Sequence, residues 1–150
     1  MRTLPRAIRA FAVMTLLTSP ALADAPADQA AIQKLLMATF DKPDARLTVD
    51  PIIVAGDIAI ADWTQGEMGG RALLRRKNDA WILTLCSGDS LKDPQALQTF
   101  SLSPTQAQAL VEALASAEAR LDPARLAKLA SFEGVVRMDA NGDHPPADGQ

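Results

Sequence analysis

Between Arg46 and Cys86 the chain repeats one pattern four times: a short run rich in apolar and β-branched residues, then a turn signal of a few residues. Connections that short cannot return a strand to start in parallel, because a parallel crossover needs a dozen residues or more. The segment therefore has to fold as an antiparallel meander. Strands are expected at 46–54, 58–64, 71–77 and 80–86. The turns fall at Ala55-Gly56-Asp57, at the longer glycine-rich stretch Gln65 to Gly70, and at Lys77-Asn78-Asp79. Pro51 marks an edge or a bulge in the first strand, since proline has no N–H for a ladder. In the fourth, the period of two puts Trp81, Leu83 and Leu85 on one face and Ile82, Thr84 and Cys86 on the other. Arg71, Arg75, Arg76 and Lys77 crowd the third strand, the placement expected of residues that guard a sheet edge.

Helical signals flank this segment. Residues 27–40 place Ile32, Leu35, Leu36 and Phe40 at amphipathic spacing, with Asp28 as the expected N-cap and Asp41-Lys42-Pro43-Asp44 as the stop. A polar connector after Ser87-Gly88-Asp89 leads to Ser103-Pro104, an N-cap followed by proline at the first helical position, which opens a helix over 104–120. Asp122-Pro123 repeats the signal for a shorter helix ending near Phe132, with Leu126, Leu129 and Ala130 inward and Gly134 as its C-cap. The expected fold is α+β: an N-terminal helix, a four-stranded antiparallel meander, and two C-terminal helices packed on the sheet, with the helices covering one face.

The ends of the chain carry a different signal. Arg2, Arg6 and Arg9, an apolar stretch from about Ile8 to Leu17, and Ala21-Leu22-Ala23 have the order of a secretory leader cut after Ala23. The apolar stretch is too short to span a bilayer as a helix, and no membrane span is expected after the cut. The expected organisation is a leader over 1–23, one domain over 24–140 and a disordered polar tail over 141–150, in the periplasm of a Gram-negative cell. The 150 residues carry a net charge of −3, and removing three leader arginines makes the remainder more acidic still. Such a chain is a poor partner for nucleic acid. Cys86 is the single cysteine, so no intramolecular disulfide can form. Burial in the core, metal ligation or an intermolecular redox contact would each account for it.

Hydrolytic catalysis needs a nucleophile, a base and a group that orients the base. The one histidine, His144, falls in the tail, and no enzyme activity is expected. Asp62, Glu67 and Asp89 read as exposed acids near strand ends. Thiolate and thioether groups select soft ions such as Cu(I). In a meander of this order the end of the fourth strand returns toward the turn between the second and third, which brings Cys86 toward Met68. Trp63 lies at the same end, where its face could cover a cation, and Glu67 shares the turn as a further binding residue. Met138 and His144, flanked by Asp139 and Asp143, form a second candidate metal pair. The turn at 65–70 could instead serve a metal-free module that binds or inhibits a partner protein.

The stretches WTQGEMGGRALLRR at 63–76 and LCSGD at 85–89, with FDKPDARLTV at 40–49, LDPAR at 121–125 and FEGVVRM at 132–138, resemble a family of small exported bacterial proteins, the copper uptake system-associated proteins. The resemblance covers about residues 30–138. It implies association with a copper uptake system; the expected role is a non-catalytic accessory that binds Cu(I) transiently or docks to a copper chaperone or outer-membrane copper importer. Members of that family tend to end in a histidine-rich tail, whereas this tail holds His144 alone.

Overall fold

The computed structural model describes residues 25–139. The leader and its cut, the tail over 141–150 and His144 lie outside the described residues. The chain runs through α1 (Ala25–Phe40), β1 (Leu47–Ala55), β2 (Ile58–Gln65), β3 (Met68–Lys77) and β4 (Ala80–Ser87). A 3-10 turn at Asp89–Lys92 follows, then α2 (Pro94–Thr99), α3 (Pro104–Glu118), α4 (Pro123–Ala130) and β5 (Val135–Arg137). The class is α+β, with one antiparallel sheet in the order β1-β2-β3-β4-β5. The fifth strand is short and closes against β4. No helix among the described residues is long and apolar enough to cross a membrane.

Local chemistry explains most element ends. Asn78 and Asp79 both take positive φ, of 49° and 62°. This is the two-residue hairpin geometry whose twist matches the strands it joins. Ser103 and Gln106 form a reciprocal capping box at the start of α3, and Asp93 and Asp122 cap α2 and α4 ahead of a proline. The connector expected after Ser87 thus contains a helix of its own. At the end of α4 the cap is Ser131 rather than Gly134, which takes a φ of 76° in the turn into β5. Asp28 is not an N-cap: α1 begins before it, and its carboxylate accepts from Arg76 at 2.5 Å and from the Trp81 indole at 3.2 Å.

Helices cover both faces of the sheet, not one. On the first face α1 buries Ile32 and Leu36 against Leu47, Val49, Ile52, Leu74 and Leu83. On the second, α2 and α3 bury Leu97, Leu110 and Leu114 against Ile58, Ile60, Leu73 and Leu85. Two bulges set which residue meets which core. In β1, Asp50 and Pro51 together oppose one residue of β2, so Val49 and Ile52 both face α1. In β4 the register slips at Thr84, so Leu83 pairs with Leu74 and Leu85 with Leu73. The slip sends Leu85 to the α3 side and Cys86 to the α1 side, with Trp81 and Leu83. The even alternation expected for β4 is therefore broken at its midpoint.

β3 is the central strand, so its arginines guard no edge. Arg71 is buried, Arg75 donates to the Phe100 carbonyl, and Arg76 stacks over Trp81 at 4.7 Å while pairing with Asp28. β3 also starts at Met68, three residues earlier than expected, because Gly69 and Gly70 belong to the ladder rather than to the turn. A Cβ on Gly69 would lie 2.9 Å from the Lys128 backbone, and one on Gly70 would lie 3.0 Å from the Phe132 ring. These glycines let the chain leaving α4 cross the end of the sheet at close range.

Candidate functional site

That crossing builds one wall of a cavity of about 490 Å³ on the α1 face. The end of α1 contributes Leu36 and Phe40, and the loop after it Lys42. The sheet contributes Leu47, Trp63, Gln65, Met68 and Cys86, and the C-terminal segment Phe132, Val136 and Met138. The sheet row that ends in Cys86 is built from small residues. Ala61, Ala72 and Cys86 lie side by side in register, and Gly70 sits beside Trp63 in the next row. With no side chain on Gly70, Phe132 packs edge-on against Trp63, at 5.9 Å between centroids and 83° between planes.

Four of the residues singled out in the sequence, Trp63, Met68, Cys86 and Met138, thus line one cavity. They are not equally close. Cys86 pairs with Val136, and Met138 donates its N–H to the Thr84 carbonyl at 2.9 Å. Met138 is therefore a diagonal cross-strand neighbour of Cys86, within reach of a long side chain. Met68 lies four residues along β3 from Ala72, the partner of Cys86, which is about 13 Å by strand rise. It stands at the mouth, 62% exposed, while Cys86 is at the floor. By strand register, Met138 is the nearer neighbour of Cys86 along the sheet and Met68 the more distant one. Glu67 is exposed at the turn, with Lys128 at 3.6 Å.

Burial pushes the Cys86 thiol up to about 12, so it is protonated at neutral pH. The buried Trp63 indole N–H finds no partner at hydrogen-bond geometry, yet it lies near enough to Cys86 to favour the thiolate weakly. The donor set is one thiol and two thioethers in apolar surroundings, which suits a soft monovalent ion and offers nothing to Mg²⁺ or Ca²⁺. Among the described residues no cluster of three or more His, Cys, Asp or Glu side chains could hold a metal.

Gly88 supports the same wall. A Cβ there would lie 2.4 Å from the Phe132 carbonyl oxygen. Gly88→Ala should push the 130–132 segment off the sheet, at about 1–3 kcal/mol of unfolding free energy. Urea denaturation, with Trp63 fluorescence reporting the lost Phe132 contact, tests this; an unchanged midpoint would mean the segment moves freely.

The opposite face carries a buried polar cluster that the sequence reading passed over. Arg71 donates to Glu118 at 2.7 Å, to Asp89 at 3.0 Å and to the Leu129 carbonyl at 3.3 Å. Lys92 adds an ion pair to Glu118 at 2.7 Å. Asp62, expected as an exposed acid, is 0% exposed; neither of its oxygens has a partner at hydrogen-bond geometry, and Arg71 Nε is 3.7 Å away. Burial and the neighbouring Glu118 charge raise Asp62 to about 8, against the pull of Arg71. Burial alone would raise Glu118 too, but its bonds to Arg71 and Lys92 win and hold it low. The two acids thus lie together as one acid and one carboxylate. An aspartate inside the apolar run IAIADW was the available signal for this burial. All three central groups are closed to solvent, which makes the cluster a clamp between sheet and α3 rather than a site for substrate.

Comparison with protein-family models, with curated proteins and with solved structures finds no match for this chain.

Proposed function

We propose that the protein is a non-catalytic accessory of a bacterial copper uptake system, exported to the periplasm through a cleaved leader. In this reading it takes Cu(I) by ligand exchange, to or from a copper chaperone or outer-membrane importer. The observation that carries it is the lining of one apolar cavity by Cys86, Met138, Met68 and Trp63. Cys86 and Met138 are the holding pair, Met68 is the sulfur met first at the mouth, and Trp63 excludes water. His144 belongs to the same proposal as a tail ligand. Cys86 must give up its proton on binding, so affinity should rise about tenfold per pH unit while the free thiol is protonated.

Competition against a chromophoric Cu(I) chelator under reducing conditions, on the chain from Asp24, tests this. Cys86→Ser should abolish binding together with its pH dependence. Met138→Leu, which keeps the volume, should weaken affinity. Met68→Leu should slow loading with little change at equilibrium. No competition by the native chain at any copper ratio would remove the carrier reading. The exposed pair Glu67 and Met68 beside the cavity then favours the second reading, a metal-free module that docks a partner through the turn at 65–70.

A further inference from the structure

The cavity is far larger than a single ion needs and falls in the size range of small-molecule sites. Its lining includes Leu36, Phe40, Leu47, Phe132 and Val136, and its one cation is the exposed Lys42. The backbone that carries it is held in place. Lys42 and Ala45 bond to each other through their backbones at 3.3 and 3.2 Å, closing the loop after α1. The Gln65 side chain, itself in the cavity wall, donates to the carbonyls of Phe40 and Ala45 at 2.7 Å each and ties the loop to the sheet. The adjacent Asp41 is engaged elsewhere, by Arg46 at 3.0 Å and by the Leu47 N–H at 2.7 Å. Among the described residues the Lys42 ammonium meets no carboxylate within ion-pair distance.

We propose that this cavity binds a monoanionic amphiphile, an alkyl carboxylate whose chain fills the apolar interior and whose head group pairs with Lys42. Apolar walls reward chain length, and one cation on a tied-down loop in the lining rewards a single negative charge at the end of the chain. The inference shares the cavity with the copper reading but does not depend on it, because it uses the walls and Lys42 rather than the sulfur atoms.

Calorimetric titration of the chain from Asp24 with decanoate, dodecanoate and dodecanol, below their aggregation limits, tests the proposal. One-to-one binding is expected, with dodecanoate roughly tenfold tighter than decanoate for its two added methylenes. Lys42→Glu, an exposed substitution, should weaken dodecanoate about tenfold or more while leaving dodecanol unchanged. Cys86→Ala, which removes the thiolate that the copper reading requires while leaving an apolar floor, should still bind dodecanoate with the same dependence on chain length and on Lys42, so either idea can fail without the other. Absence of saturable binding, no gain with chain length, or an equal effect of Lys42→Glu on the acid and the alcohol would each overturn the proposal.

Discussion

Replacing Arg71 by methionine is expected to lower the unfolding free energy by about 3–5 kcal/mol, the usual loss when one partner of a buried ion pair is removed. The guanidinium is 1% exposed and holds three elements at once: Glu118 at the end of α3, Asp89 after β4, and the Leu129 carbonyl on α4. Methionine fills part of the volume but leaves Glu118 buried with Lys92 as its remaining ion-pair partner among the described residues. Arg71→Lys keeps the charge without the fork that reaches several acceptors, so it should fall between the two. Adding Glu118→Gln to Arg71→Met should recover part of the loss, because the charge left stranded is then gone. Urea unfolding of the four proteins checks the set, and a loss below about 1 kcal/mol for Arg71→Met would show that water enters and satisfies Glu118.

What the sequence revealed and what it concealed divide along the range of the interactions. Strand periods and turn chemistry are local, so β1 to β4, the antiparallel order and the hairpin at Asn78-Asp79 were legible. The slip at Thr84 was not, because it exists only as a mismatch with β3, and it decides that Cys86 rather than Leu85 faces the cavity. Gly69 and Gly70 read as turn residues because that is the commoner use of paired glycines. Here they answer to Lys128 and Phe132, about sixty positions away. Arg71 sits in a basic run that looks like surface, and its burial follows from a carboxylate 47 residues later.

The candidate site shows the same division. Topology alone brought Cys86 and Met68 to one end of the sheet, and both do line the cavity. The closer neighbour of Cys86 is Met138, and that pairing depends on β5, whose three residues carry too little pattern to read as a strand. Short strands held by a partner's free edge leave almost no periodic trace in sequence.

Asp62→Asn should remove a pH dependence that the native protein carries, and the sign follows from the direction of the shift. Asp62 is raised from 3.8 to about 8 by burial and by the charge of Glu118. Between those values the folded chain holds a proton that the unfolded chain has released. Its contribution to stability is complete below about pH 4 and is lost as pH rises through 8, at up to about 1.4 kcal/mol per pH unit. Asparagine has nearly the same shape, carries no charge and does not titrate. Urea unfolding of native and variant chains at pH 5, 7 and 9 should therefore show Asp62→Asn gaining on the native protein as pH rises, with the gap levelling above about 8. Other titrating groups cancel in that difference. Lys92 and Arg71 remain on Glu118 in both chains, so the acid-side loss of stability from that depressed carboxylate is common to them. Parallel curves across the whole range would mean that Asp62 is ionised at neutral pH, and that Arg71 at 3.7 Å outweighs burial and the Glu118 charge.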